Sequence, residues 1–255
     1  MCVLFVAREV HPEYPLIVAS NRDEFHGRPT ALAATWDDCP GVLAGRDLKA
    51  GGTWSGVTTG GRWAALTNIR APEWMGAEAP RSRGALVADF LCGEDDPVDY
   101  AATAVEERAE YGGFNLLVGT LDALWYGSSR MEAPRRLGPG FYGLSNGALD
   151  DPWPKVARGG RAFQRWVEDD GLGEEALFEL MRDETRAPDN LLPKTGVGVE
   201  SERFLSPLFI VSPDYGTRAT TLLTVRDDGT ARLVERSYDA RGAATGTVAY
   251  DFRVA

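Results

Sequence analysis

The order of local signals along this chain predicts an α+β fold in four layers: two antiparallel sheets stacked face to face with helices outside them, α/β/β/α. Three observations carry that expectation. Short β-branched and apolar runs parted by turn residues fill the first third of the chain, two stretches with helical spacing follow, and the alternation then repeats before an all-strand end. No composition shift marks a linker and no internal repeat is present, so residues 1–255 read as one domain.

Residues 3–7 and 16–20 are apolar runs separated by His11-Pro12-Glu13-Tyr14-Pro15, which reads as an N-terminal hairpin whose second strand runs into Asn21-Arg22-Asp23-Glu24. Further strands are expected over residues 42–44, 53–57 and 62–67, with Gly51-Gly52 and Gly60-Gly61 as the turns. Ser82 then caps a helix whose Leu86, Phe90 and Leu91 share a face and which stops at Gly93, and Asp96-Pro97 opens a second helix. Strands return over residues 114–119, 123–126 and 140–145. Trp153, Val156, Phe163, Trp166 and Val167 mark a third helix, weakened by Gly159-Gly160, and residues 174–181 a fourth. A long aperiodic loop is expected between Glu184 and Glu202, a length that is usually functional. The closing strands are expected over residues 208–211, 219–225, 231–237 and 246–252, with Asp227-Asp228-Gly229 as a hairpin turn.

Thirty-eight acidic against 27 basic residues give a net charge of −11, which would repel nucleic acid and anionic membranes alike. No apolar run approaches the roughly 20 residues that a bilayer-spanning helix needs, and Arg8, Glu9, His11 and Glu13 break the only apolar start. Neither membrane insertion nor secretion is expected. Three cysteines without CxxC spacing suggest reduced thiols in a cytoplasmic protein, with Cys39 and Cys92 structural. Two histidines, His11 and His26, are too few for a zinc site, and no phosphate-binding glycine loop occurs, so no metal or nucleotide cofactor is expected.

Cys2 stands directly behind the initiator methionine. A small second residue favours removal of Met1, which would leave a cysteine bearing both a thiol and a free α-amine. That amine, with a reference pKa of about 7.7–8.0, is close enough to a thiol at about 8.5 to accept its proton near neutrality. One residue would then supply nucleophile and base.

Met1-Cys2, Asn21-Arg22-Asp23-Glu24-Phe25, Ala44-Gly45-Arg46-Asp47, Gly51-Gly52-Thr53-Trp54-Ser55-Gly56, Leu66-Thr67-Asn68 and Tyr215-Gly216-Thr217-Arg218 occur in that order. Together they resemble the NRDE-motif family, also called transport and Golgi organisation proteins, over nearly the whole chain. More distantly the chain is similar to N-terminal nucleophile (Ntn) hydrolases of the choloylglycine hydrolase and penicillin acylase kind, which have the stacked-sheet fold expected above. The resemblance implies Cys2 as nucleophile, Asp23 as the carboxylate that orients its amine, Asn68 and Asn146 as oxyanion donors and Arg203 as a late catalytic arginine. Asn21, Arg22, Glu24, Trp54 and Arg218 are the motif residues left for substrate binding or structure. One departure stands out. The family's early arginine precedes the asparagine matched by Asn21, and here that position is Ser20; neighbouring strand side chains face opposite ways, so Arg22 is expected to replace the missing group only if the backbone turns there.

Two functions follow. The first is an N-terminal-cysteine amidohydrolase or acyl transferase for a small amide or thioester, needing no cofactor. The second is a non-catalytic carrier on the same fold, for haem or a lipid or acyl-CoA-type ligand, as the resemblance to eukaryotic relatives implies, with Cys2, His11 or His26 as the haem ligand. Either way the partner is a small molecule, and the sequence leaves the oligomeric state open.

Overall fold

The computed structural model describes residues 2–74, 79–169 and 173–254; Met1, whose removal the sequence suggests, lies outside the described residues. In chain order the elements are β1 (Cys2–Arg8), β2 (Leu16–Phe25), β3 (Thr30–Trp36), β4 (Cys39–Asp47), β5 (Ser55–Thr58), β6 (Trp63–Asn68), α1 (Arg83–Cys92) and α2 (Pro97–Glu106). Then come β7 (Phe114–Gly119), β8 (Leu124–Ser128), β9 (Arg135–Leu137), β10 (Gly140–Leu144), α3 (Pro154–Glu168), α4 (Glu174–Met181), α5 (Val199–Phe204), β11 (Tyr215–Val225), β12 (Thr230–Tyr238) and β13 (Ala244–Arg253).

One sheet has the order β10-β1-β2-β11-β12-β13 and the other β3-β4-β5-β6-β7-β8-β9, and every ladder in both is antiparallel. The period-two alternation of each strand divides its side chains between layers. On β1, Leu4 and Val6 pack between the sheets against Val57, Ala65 and Leu117. Val3, Phe5 and Ala7 point the other way, against Phe163 of α3 and Leu177 and Phe178 of α4. The second sheet is covered likewise by α1 and α2 through Leu86, Phe90, Ala101 and Ala104. This is the four-layer α/β/β/α sandwich.

Both helix starts read from the sequence are present. The Ser82 hydroxyl accepts the Gly84 amide and the Asp96 carboxylate accepts the Val98 amide, each satisfying one of the orphan donors of a first turn. Helix α3 runs unbroken through Gly159-Gly160. A β-carbon on Gly159 would lie 2.5 Å from the Phe5 ring, so the glycine is what lets α3 press onto β1.

Several expectations are corrected. Strands β3 and β9 were not expected: the alanine-rich run of β3 carries a weak strand signal, and β9 is a three-residue edge strand beginning with two arginines. Residues 208–211 form no strand. The Leu208 and Phe209 amides both donate to the Asp183 carbonyl, and the Ile210 amide to the Thr217 hydroxyl, so this segment, buried up to Ile210, is held by loop contacts rather than a ladder. Helix α5 occupies the end of the expected long loop. Cys39 and Cys92 are joined in a disulfide linking the start of β4 to the last residue of α1, with Cα atoms 5.8 Å apart. The 53-residue separation hides that pairing from a reading by motif spacing, and it removes the cysteine argument for a reducing compartment. No helix among the described residues is long and apolar enough to cross a membrane.

The two glycines of α3 give a paired test by urea denaturation. Gly159→Ala forces a methyl into Phe5 and should lose about 1–3 kcal/mol. Gly160→Ala meets Phe5 only at 3.7 Å, so it should be neutral or gain up to about 1 kcal/mol from helix propensity.

Candidate active site

The start of β1, the ends of β2 and β6 and the start of β11 meet at one end of the sandwich, where a cleft of about 500 Å³ opens. Its lining includes Cys2, Arg22, Asp23, Trp54, Asn68 and Arg83.

The Asn21-Arg22-Asp23-Glu24 tetrad belongs wholly to β2. Asn21 is buried and structural: its amide donates to the carbonyls of Met181 (2.8 Å) and Leu208 (3.0 Å), and its oxygen accepts from Thr220 (2.6 Å). Arg22 stands directly opposite Cys2 in the ladder. Its guanidinium lies over the Trp54 ring at 4.3 Å and donates to the Thr30 hydroxyl at 3.1 Å. This corrects the expectation that a turn would be needed. Positions 20 and 22 are two apart on an unbroken strand, so Arg22 lies on the same side of the sheet as Ser20. Glu24 sits at the rim, its carboxylate accepting the Phe25 amide and lying 4.0 Å from Arg28.

Cys2 is half-buried and is the one free thiol among the described residues. Burial pushes its pKa up and the Asp23 carboxylate adds to this, while the Asp23 amide and the Arg22 charge pull it back. The resting sulfur is therefore a protonated thiol that needs a base.

Asp23 is 1% exposed. One carboxylate oxygen accepts from the Thr217 hydroxyl at 2.7 Å, and its carbonyl accepts from the Tyr215 hydroxyl at 3.1 Å. Burial pushes this carboxyl upward, and the main opposing influence is the ammonium of Lys155 on α3. Lys155 itself is 2% exposed, its Nζ has no hydrogen-bond partner among the described residues, and burial pulls its pKa from 10.5 down to about 8. Beside it, Arg70 and Glu202 form a buried ion pair at 2.5 Å.

The remaining candidates divide. Asn68 lines the cleft. Asn146 is fully buried behind it, donating one amide hydrogen to the Asn68 carbonyl at 2.8 Å, which makes it a positioning residue for Asn68. Next to it, the Ser145 hydroxyl donates to the Cys2 carbonyl at 3.0 Å. Arg203 is not brought to the cleft. It faces outward from α5 and pairs with Asp189 and Glu200, both at 2.7 Å, because successive helical residues point about 100° apart and it is the preceding Glu202 that turns inward. Arg218 is a clamp, donating through one nitrogen to the carbonyls of Phe25, His26 and Arg28 at a bulge in β11. Of the three residues considered for haem iron, only Cys2 lines the cleft.

Glycines explain the spacing of the motifs. A β-carbon on Gly45 would fall 2.4 Å from the Trp54 ring, and one on Gly52 would fall 2.4 Å from the Gly84 backbone. Gly45 thus seats the ring on which Arg22 lies. Gly52 lets the loop after β4 touch the first turn of α1, where the Thr53 amide donates to the Gly84 carbonyl, and so brings Arg83 to the cleft. Lys155, Arg70, Glu202, Thr217 and Arg83 were missed as site residues. Two signals were available: Thr217 lies within the Tyr215-Gly216-Thr217-Arg218 motif, and Lys155 is among only three lysines in the chain. Behind the Arg22–Trp54 pair lies a second cavity of about 230 Å³, which those two side chains also line, together with Tyr238 and Glu235.

Two stacked antiparallel sheets between helical layers, with Cys2 opening the first strand, define an Ntn-hydrolase-like fold. Solved structures agree. An N-acylethanolamine-hydrolyzing acid amidase ortholog from Caenorhabditis elegans has a TM-score of 0.50 at 12% identity, covering 87% of this chain and 92% of its own. A mutant conjugated bile acid hydrolase from Clostridium perfringens has a TM-score of 0.54 at 9% identity, covering 98% and 92%. The chain belongs to the Transport and Golgi organisation 2 family, whose model matches residues 1–240. It is 36% identical over 263 residues to the Bos taurus Transport and Golgi organization protein 2 homolog and 34% identical over 260 residues to the Homo sapiens one, covering 93% of both chains each time. The Drosophila melanogaster protein is 27% identical over 274 residues, covering 93% of this chain and 92% of its own.

Lys155 yields a pH prediction. Its pKa is about 8 in the fold and 10.5 when unfolded, so between those values the unfolded chain holds a proton that the native one lacks. Stability should therefore rise with pH across that window, by roughly 2–3 kcal/mol. The comparison is urea denaturation of wild type and Lys155→Met from pH 7 to 10.5, and the variant should lack this rise.

Proposed function

We propose that this chain is an N-terminal-cysteine amidohydrolase or acyl transferase acting on a small amide or thioester. The observation that carries the reading is that Cys2, Asp23 and Asn68 all line one cleft, with the Asp23 side chain buried behind its wall on the helix side of β2. That one solved neighbour is named an acid amidase and the other a conjugated bile acid hydrolase supports hydrolysis of an acyl bond, an amide in the first case.

Removal of Met1 frees the Cys2 amine, and Asp23 holds that amine beside the sulfur. The amine takes the thiol proton as sulfur bonds to the acyl carbon, and the carbonyl π electrons move to oxygen. Asn68 donates to that oxyanion, with Asn146 fixing the Asn68 backbone. Collapse expels the amine or thiol leaving group, which carries away the proton held by the Cys2 ammonium. Water or an acceptor then resolves the S-acyl cysteine by the same steps in reverse. Lys155 supplies the positive charge that most opposes the upward push of burial on the Asp23 carboxyl.

Intact-mass analysis of native protein before and after iodoacetamide or an acylating probe tests this. Processed protein lacking Met1 should gain one adduct that Cys2→Ala does not; retained Met1, or equal labelling of the variant, would overturn the catalytic reading. With an activated thioester probe, Asn68→Ala should lower turnover about 10²–10³-fold, whereas Arg203→Ala, remote from the cleft, should leave it unchanged.

A further inference from the structure

The charge in the cleft runs against the charge of the protein. The chain as a whole carries −11, yet five cationic side chains line the cleft against three carboxylates. Most of these have partners. Arg28 pairs with Asp47 at 2.5 Å, Arg81 with Asp89 at 2.8 Å, and the Asp23 carboxylate is balanced by Lys155. Lys49 is exposed on the rim. Arg22 and Arg83 remain, and neither has a carboxylate within ion-pair distance among the described residues.

Both are held by contacts other than ion pairs among the described residues, while Glu24 attracts Arg83 and the Arg22 charge reaches Asp47 and Glu235 at longer range. Arg22 is 5% exposed, its planar cation sandwiched on Trp54 and tethered through one nitrogen to Thr30. Arg83 opens α1, one nitrogen reaching the Gly113 carbonyl at 3.4 Å, and burial pulls its pKa down against the attraction of Glu24 and Cys2. Taking a cation out of water without a counter-ion costs several kcal/mol, a cost that an incoming anion would offset. The first turn of α1, whose Ser82 and Gly84 line the same cleft, adds the positive end of a helix dipole. Arg22 faces Cys2 directly across the ladder, so such an anion would sit close to the reacting sulfur.

We infer that Arg22 and Arg83 form an oxyanion-binding subsite beside Cys2, which selects substrates carrying a carboxylate or phosphate near the acyl group. The inference rests on the cleft being the substrate site, as proposed above, and narrows the substrate class from any small amide or thioester to an anionic one. A compact substrate follows, because the charged group and the scissile carbonyl must share one cleft of about 500 Å³.

The test compares alkylation of Cys2 by iodoacetate, an anion, with alkylation by neutral iodoacetamide, followed by intact mass. The iodoacetate-to-iodoacetamide rate ratio should exceed that of N-acetylcysteine by about tenfold at low salt, as for an electrostatically steered reaction. It should fall toward the small-thiol value in high salt and in Arg83→Gln. A ratio equal to that of the small thiol and insensitive to salt would overturn the subsite while leaving the nucleophile reading intact. Failure of both reagents to label Cys2 sinks the nucleophile reading instead, and a second measurement then decides the subsite. Inorganic phosphate and acetate are titrated separately while the Nε–Hε NMR signals of Arg22 and Arg83 are followed. Shifts of both signals support the subsite, and the anion that moves them further identifies the group preferred; no shift with either anion overturns it.

Discussion

The site depends on one constraint, the alternation of side chains along β2 where it is paired on both edges. Between β1 and β11 this strand cannot twist out of register, so its last residues are sent alternately to two layers. Asn21 and Asp23 go toward the helices, where one ties down the end of α4 and the other meets Lys155 of α3. Arg22 and Glu24 go toward the cleft. A one-residue slip would bury Arg22 among the apolar side chains under α3 and bring Asp23 to Trp54. The register, more than any single bond, is what makes four consecutive residues into a site.

Two kinds of electrostatic setting sit side by side as a result. Under α3, Asp23, Lys155, Arg70 and Glu202 are all nearly inaccessible and balance one another, with carboxylates and cations in equal number. Such a cluster contributes little net stability, since desolvation consumes most of the attraction, but it holds its members at fixed separations. Across the strand, Arg22 and Arg83 have no carboxylate within ion-pair distance among the described residues. The nucleophile lies at the boundary between the two.

Much of the fold was legible in the sequence because its signals are local. The hairpin of β1 and β2, the Ser82 and Asp96 caps and the Asp227-Asp228-Gly229 turn each depend on residues within a few positions of one another. What was not legible depends on distant partners. Residues 208–211 have strand composition, but their amides are claimed by Asp183 and Thr217. Cys39 meets Cys92 only once α1 is folded against its sheet. At the site, Cys2, Asp23 and Asn68 were read from motifs that lie on strands, where spacing dictates direction. Arg203 was misplaced because it lies on a helix, where one position of error turns a side chain from the interior to solvent. Lys155 and Arg70 belong to no motif, and their place became visible only when α3 and the chain after β6 were packed around Asp23.

Arg22 and Trp54 line both the cleft and the smaller cavity beyond it. A strand edge is a fixed boundary, whereas a stacked guanidinium is released by rotation about single bonds. Rotation of the Arg22 side chain would thus reshape the wall shared by the two cavities with no movement of the backbone.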